Sequence, residues 1–123
     1  VRRQVTVEQV IALHDTMESA PIIDRGKLEA AVGRAYQGWG NSYFYPSVFS
    51  QAAVLMHGIA AAHAFLDGNK RTAWAAAMVA LEMNGVSIIR IDDESMASYM
   101  EEVALHVHKI EETALLLSGL IEF

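Results

Sequence analysis

Apolar and polar positions alternate with helical period through most of the chain. Val7, Val10, Ile11 and His14 recur three and four residues apart, the spacing that lines up side chains on one helix face. Thr6-Val7-Glu8-Gln9 at the head of that stripe has the form of a capping box, in which the two polar side chains satisfy each other's backbone N–H groups. Ser19-Ala20-Pro21 breaks this first helix, because proline lacks an amide hydrogen and clashes inside a helix. Asp24 is suited to cap a second helix, whose buried stripe is Leu28, Ala31, Val32 and Ala35. Gly38-Trp39-Gly40-Asn41-Ser42 ends that helix. Tyr43-Phe44-Tyr45 stands before Pro46, which predicts extended backbone there.

From Ser47 to about His63 the apolar residues lie nearly all round the helix, the pattern of a central, buried helix. Leu66-Asp67-Gly68-Asn69 predicts a turn. A fourth helix then runs through Trp74, Ala77, Met78 and Leu81 to a stop at Asn84-Gly85. The β-branched run from Val86 to Ile91 predicts a short extended connector. Asp92-Asp93-Glu94 opens a fifth helix, where acids suit the N-terminus, and that helix is expected to reach about Val107. A last helix carries Leu115, Leu116, Leu117, Leu120 and Ile121, most of which are expected to pack on the third helix. The pattern predicts an all-α fold, a compact bundle of about six helices around a buried central helix, with residues 1–123 as one domain.

Composition supports this. The chain has 123 residues and is 53% hydrophobic, and a chain of this size can bury roughly two-thirds of its unfolded surface. It has no cysteine, which removes disulfides, thiolate zinc sites and cysteine nucleophiles and fits a reducing cytoplasm. The net charge of −6 argues against direct nucleic-acid binding, which shows a basic surface. Between Ala35 and Leu66 there is no Asp, Glu, Lys or Arg, but Gly38, Gly40, Asn41, Pro46, Gln51, His57 and His63 interrupt the stretch. A loop and a core helix are expected there, not a membrane span. No signal peptide is expected either, since Arg2-Arg3 is followed by a mixed helix, with the two arginines at a fraying end.

Chemistry concentrates in His63-Ala64-Phe65-Leu66-Asp67-Gly68-Asn69-Lys70-Arg71. The backbone N–H groups at a helix start, with the dipole behind them, attract anions. Gly68 allows close approach of a ligand to the backbone. Lys70 adds a point charge and Arg71 a planar fork for phosphate oxygens. Asp67 can hold Mg2+ with one carboxylate, the rest of the shell being phosphate and water. His63 can accept a proton near neutral pH. Each residue alone is ordinary in a structural role, and their order within one short segment is what points to phosphoryl transfer. Other histidines do not form a helical zinc pair. His57 and His63 are six apart and His106 and His108 two apart, neither being the i,i+4 spacing. The methionines read as core filling, and Glu101-Glu102 and Glu111-Glu112 as solvated faces.

That segment resembles the Fic/Doc signature His-x-Phe-x-(Asp/Asn)-(Gly/Ala)-Asn-(Gly/Lys)-Arg, with every specified position matched. Asp24 to Arg34 is similar to the second helix of Doc-type toxins, and the aromatic segment stands where the family carries its target-docking flap. The resemblance implies that His63 is the general base acting on a target hydroxyl and that Asp67 binds Mg2+. It implies that Gly68, Asn69, Lys70 and Arg71 form the anion hole for ATP, that Phe65 holds the loop, and that Tyr43, Phe44 and Tyr45 take part in target docking. Lys70 in place of glycine, and Trp74 in place of a second arginine, favour the Doc branch. That branch implies a kinase acting on a threonine of elongation factor Tu, blocking translation. Gly68 is the choice of the adenylylating Fic branch, which makes AMP transfer the alternative; a catalytically silent binding module is a second. No Ser or Thr is followed four residues later by Glu and then Gly or Asn, as in self-inhibited Fic proteins. The resemblance therefore places inhibition in a separate antitoxin, through a segment that folds on binding.

Overall fold

The structure is a computed structural model, and it describes residues 2–123. Six helices follow in order: α1 (Val7–Met17), α2 (Arg25–Ala35), α3 (Val48–Ala62), α4 (Asn69–Met83), α5 (Asp93–Ala104) and α6 (Ile110–Ser118). The fold is all-α, as the periodicity predicts. α3 packs against α2, α4, α5 and α6. Its Ala52, Ala53, Leu55, Met56 and Ile59 are fully covered, which follows from a helix that is apolar on almost every side.

The helix starts are those written in the sequence. The Thr6 hydroxyl accepts the Gln9 N–H at 3.2 Å while Gln9 Oε1 accepts the Thr6 N–H at 2.9 Å. Asp24 Oδ1 accepts the Lys27 N–H at 3.0 Å, and Ser47 Oγ accepts that of Ser50 at 2.9 Å. Asp92 does the same for Ser95. Such caps contribute on the order of 1 kcal/mol each. The expected stripe of α2, Leu28, Ala31, Val32 and Ala35, is buried in full. Among the described residues, no helix is long and apolar enough to cross a membrane.

Four expectations need correction. Residues 38–43 do not simply end α2 and run on extended. Gly38–Trp39 (β1) and Ser42–Tyr43 (β2) pair antiparallel, with Gly38 opposite Tyr43 and Trp39 opposite Ser42. Gly40-Asn41 between them is a hairpin-turn dipeptide, and a Cβ on Gly38 would collide with the Ser42 carbonyl. Second, α5 stops at Ala104, short of Val107. His106 adopts φ 59°, and the N–H groups of His106 and Val107 return to Val103 and Glu102, a Schellman ending built without glycine. Third, Arg2-Arg3 is hydrogen-bonded to the body of the fold. Arg2 Nη1 donates to Pro46 O and Gln51 Oε1, and the Arg3 N–H donates to Asn84 Oδ1. Fourth, of the α6 leucines Leu117 alone is fully buried, while Leu115 and Leu116 are exposed. The connector 86–91 is extended as predicted, with Ile88 bridged to Ile121.

Candidate active site

The segment between α3 and α4 is built from its ends inward. α3 stops at His63, which takes a left-handed conformation, φ 49° and ψ 42°. A non-glycine residue rarely adopts this, and it turns the chain out of the helix within one residue. Ala64 and Phe65 then run antiparallel to the link between α1 and α2. The Ala64 carbonyl accepts N–H groups from Ile23 at 2.7 Å and Asp24 at 3.1 Å, and the Leu66 N–H donates to Pro21 O at 3.0 Å. Phe65 is buried and its ring packs within the core. Gly68, at φ 84°, caps α4 with no side-chain hydrogen bond. The first helical hydrogen bond behind it is Thr72 N–H to Gly68 O. The N–H groups of Asn69, Lys70 and Arg71 thus precede the helix ladder and face a positive helix end, a ready-made anion site.

His63, Asp67, Gly68, Asn69, Lys70 and Arg71 all line one open cleft of about 1040 Å3, ample for a nucleotide by the usual size of ligand pockets. Met17 and Glu18 close it on one side, and the α5 residues Asp93, Met96, Ala97 and Glu101 on another. His63 and Asp67 are exposed. Asp67 Oδ1 accepts the Gly68 N–H at 2.8 Å, and the carboxylate's second oxygen is left for a cation. One carboxylate beside a phosphate cradle fits the manner in which Mg2+ is bound with nucleotide phosphates.

Two residues are already engaged. Asn69 spends much of its side chain on the loop. Its Oδ1 accepts the Phe65 N–H at 3.1 Å and its Nδ2 donates to the Phe65 carbonyl at 2.8 Å, which leaves one Nδ2 hydrogen and the backbone N–H. Lys70 is not a bare cation, because Glu101 of α5 holds its ammonium at 2.8 Å. Glu101, read from sequence as a solvated residue, is therefore part of the cleft. Trp74, three residues after Arg71, also lines the cleft and meets Tyr99 of α5 edge-on at 6.4 Å. Arg71 makes no ion pair among the described residues.

One residue was missed. His14 reads in the sequence as part of a core stripe, and it is fully buried. Its ring stacks on Phe65 at 3.8 Å and its Nε2 lies 2.8 Å from the Asp67 carbonyl oxygen. Nothing in its spacing distinguishes it from an apolar stripe residue; a polar ring in a row of aliphatics was the available signal.

The aromatic segment is divided between surface and core. Phe44 projects outward at 62% exposure, but Tyr43 and Tyr45 are half-buried. Tyr45 packs on the core, and the Tyr43 hydroxyl accepts a hydrogen bond from Gln4 Nε2 at 3.2 Å. The hairpin's most exposed aromatic side chain is Trp39, at 84%. The remaining histidines lie elsewhere. His57 contacts the Thr113 hydroxyl at 2.8 Å, and its pKa is lowered first by burial and then by His108 and His106. His108 stacks on Tyr99 and pairs with Glu102.

Residues 4–81 match the model of the Fic/DOC family. The chain belongs to the Fic/Doc family. The match spans α1 to α4 and so includes the whole loop, while α5 and α6 lie beyond it. Two relatives are similar over most of their length. "Toxin Doc" of Mycolicibacterium smegmatis (strain ATCC 700084 / mc(2)155) is 39% identical over 97 residues, 78% of this chain and 75% of that protein. "Protein kinase doc" of Escherichia phage P1 is 33% identical over 91 residues, 70% of this chain and 71% of that protein. Both relatives carry the name Doc, in line with Lys70 and Trp74.

Proposed function

We propose that this Fic/Doc protein is a Doc-type toxin that transfers the γ-phosphate of ATP to a protein hydroxyl, on the Doc resemblance a threonine of elongation factor Tu, and so blocks translation. The observation that carries the reading is the placement of Lys70. Its ammonium stands at the α5 wall of the cleft that His63 and Asp67 also line. A cation there attracts the terminal phosphates of ATP, and a glycine would leave that space open for an α-phosphate. Trp74 supports the same orientation, since the place of a second arginine is given to packing α4 on α5. The relative named as a protein kinase agrees with it.

In this mechanism His63 takes the proton of the target hydroxyl as its oxygen attacks the γ-phosphorus. The new oxygen–phosphorus bond forms as the bond to the bridging oxygen breaks, and ADP leaves. The backbone N–H groups of Asn69, Lys70 and Arg71 and the Arg71 guanidinium receive the charge on the phosphate oxygens. Asp67 would hold Mg2+, which neutralises phosphate charge when bound. Glu101 must share or release Lys70 as the nucleotide enters. An exposed ion pair contributes only ~0–1 kcal/mol, so a polyanion can displace it readily. A separate antitoxin would cover the toxin, in keeping with the relative named a toxin.

Gly68 favours the second reading, AMP transfer, because it is the Fic-like residue. Labelled ATP separates the two. Protein labelled from the γ position alone is expected, and label from the α position alone would overturn the kinase reading in favour of adenylylation.

A further inference from the structure

The Asp67–Gly68 peptide stands in front of a residue at φ 84°, and glycine at such a place lets the preceding peptide plane turn over at small steric cost. The two orientations differ in electrostatic effect. With the carbonyl turned to the core, the cleft sees the N–H groups of the helix start. With the carbonyl turned outward, its negative end would face the place an anion must occupy.

Two contacts hold the first orientation: the Gly68 N–H donates to Asp67 Oδ1 at 2.8 Å, and His14 engages the carbonyl. His14 Nε2 lies 2.8 Å from the Asp67 carbonyl oxygen, and a carbonyl only accepts, so Nε2 carries the hydrogen. The ring is held on its other sides. It is 0% exposed and lies parallel to Phe65 with a 9° interplanar angle. It also fills the space under the glycine: a Cβ on Gly68 would meet His14 Cδ2 at 3.3 Å. A leucine or phenylalanine would cover Phe65 equally well and would avoid burying ring nitrogens. The polar contact is what a histidine adds here. The neighbouring carbonyls of Ala64 and Phe65 are likewise engaged, by Ile23, Asp24 and Asn69.

We propose that His14 is a positioning residue: its Nε2–H locks the Asp67–Gly68 peptide with the carbonyl turned inward, and so keeps the anion cradle of α4 open. The proposal rests on residues 69–71 being that cradle, and the test separates the two claims.

Wild type, His14→Phe and His14→Gln are compared by residue-level amide hydrogen exchange, melting temperature and phosphate transfer from ATP. Phenylalanine keeps the stacking and loses the donor, and the glutamine amide can reach the same carbonyl. His14→Phe is expected to keep the exchange protection of α1 and α4 while the Phe65, Leu66 and Gly68 amides exchange roughly tenfold faster or more. Transfer by His14→Phe should fall about 10- to 100-fold in kcat/KM, the scale of a small misplacement in a site. His14→Gln should recover most of both. Unchanged loop exchange in His14→Phe overturns the proposal. So does an even loss of protection through α1 and α4 with no recovery in His14→Gln, which would make the ring a packing group only. Should wild type transfer no phosphate, the kinase reading fails by itself, and the loop exchange still decides the role of His14.

Discussion

Two irregular segments flank α3, and they are held in opposite ways. The loop at its C-terminal end, residues 63–69, is tied from three directions: to the α1–α2 link through Ala64 and Leu66, to α1 through His14, and to α4 through Asn69. The hairpin before its N-terminal end has two residues in each strand and exposes Trp39 and Phe44. Its outside ties among the described residues are few, such as Tyr43 to Gln4, and the bond from the Phe44 N–H to the Gln37 carbonyl continues its own ladder. The difference fits what each would do in the proposed reaction. Phosphoryl transfer needs fixed atoms, and misplacement by 1 Å can cost on the order of 10²-fold. A surface that meets a protein target needs exposed aromatic area and can adapt on contact.

Substitutions can break this contrast. The largest effect is expected from His63→Ala. Transfer should drop ~10²–10⁴-fold, the usual contribution of a general base, while the melting temperature hardly moves because the side chain is exposed. Expression of the variant in bacteria tests it together with labelled-ATP assays; a well-expressed variant of undiminished activity would refute the mechanism. Next is Gly68→Ala. The φ of 84° and contacts at 3.3 Å to Glu18 and His14 leave no relaxed place for a methyl group. A stability loss of about 1–3 kcal/mol is expected, while transfer per folded molecule should fall little, since the Fic/Doc signature accepts alanine here. An unchanged melting temperature would show that the loop yields to the methyl group.

On the hairpin side, Trp39→Ser with Phe44→Ser should lower modification of the target several-fold and leave the melting temperature nearly unchanged. Transfer to a short peptide bearing the acceptor hydroxyl should be less affected. If melting temperature and modification fall together, the hairpin is a clamp on the fold and the contrast between the two segments disappears. The smallest effect concerns His57, away from both. Burial lowers its pKa below the ordinary 6.5, so the folded chain binds a proton there less readily than the unfolded one. Its contribution to stability is then full above that value and declines as the pH falls through it. His57→Gln should flatten the acid limb of the melting temperature between about pH 7 and 5, measured against wild type; parallel curves would assign the limb to other groups.

Much of this was legible in the residues. Thr6, Asp24, Ser47 and Asp92 announce their helices because a cap is a local device, read over four residues. His63, Asp67, Lys70 and Arg71 are legible as one cleft because a helix end, a turn and a helix start bring them together without help from the rest of the chain. What was not legible is non-local. The Lys70–Glu101 pair, the outward turn of Trp39 and the inward turn of Tyr45 depend on packing between distant elements. The contact of His14 with Asp67 spans 53 positions, and nothing near either residue foretells it. The hairpin is the exception: Gly40-Asn41 is a local signal, overlooked because strands of two residues leave no alternation to see.

The order of elements along the chain has a consequence for how the protein comes into being. α3 and α4 share the most extensive packing of any helix pair and are joined by a short loop, so bringing them together costs little chain entropy. The groups that strap that loop, His14 and residues 21–24, lie upstream of it. During synthesis from the N-terminus, everything that shapes residues 63–71 is therefore available before α5 leaves the ribosome. Glu101 is the last part of the cleft to arrive. On a nascent chain, Lys70 emerges before its counter-ion does.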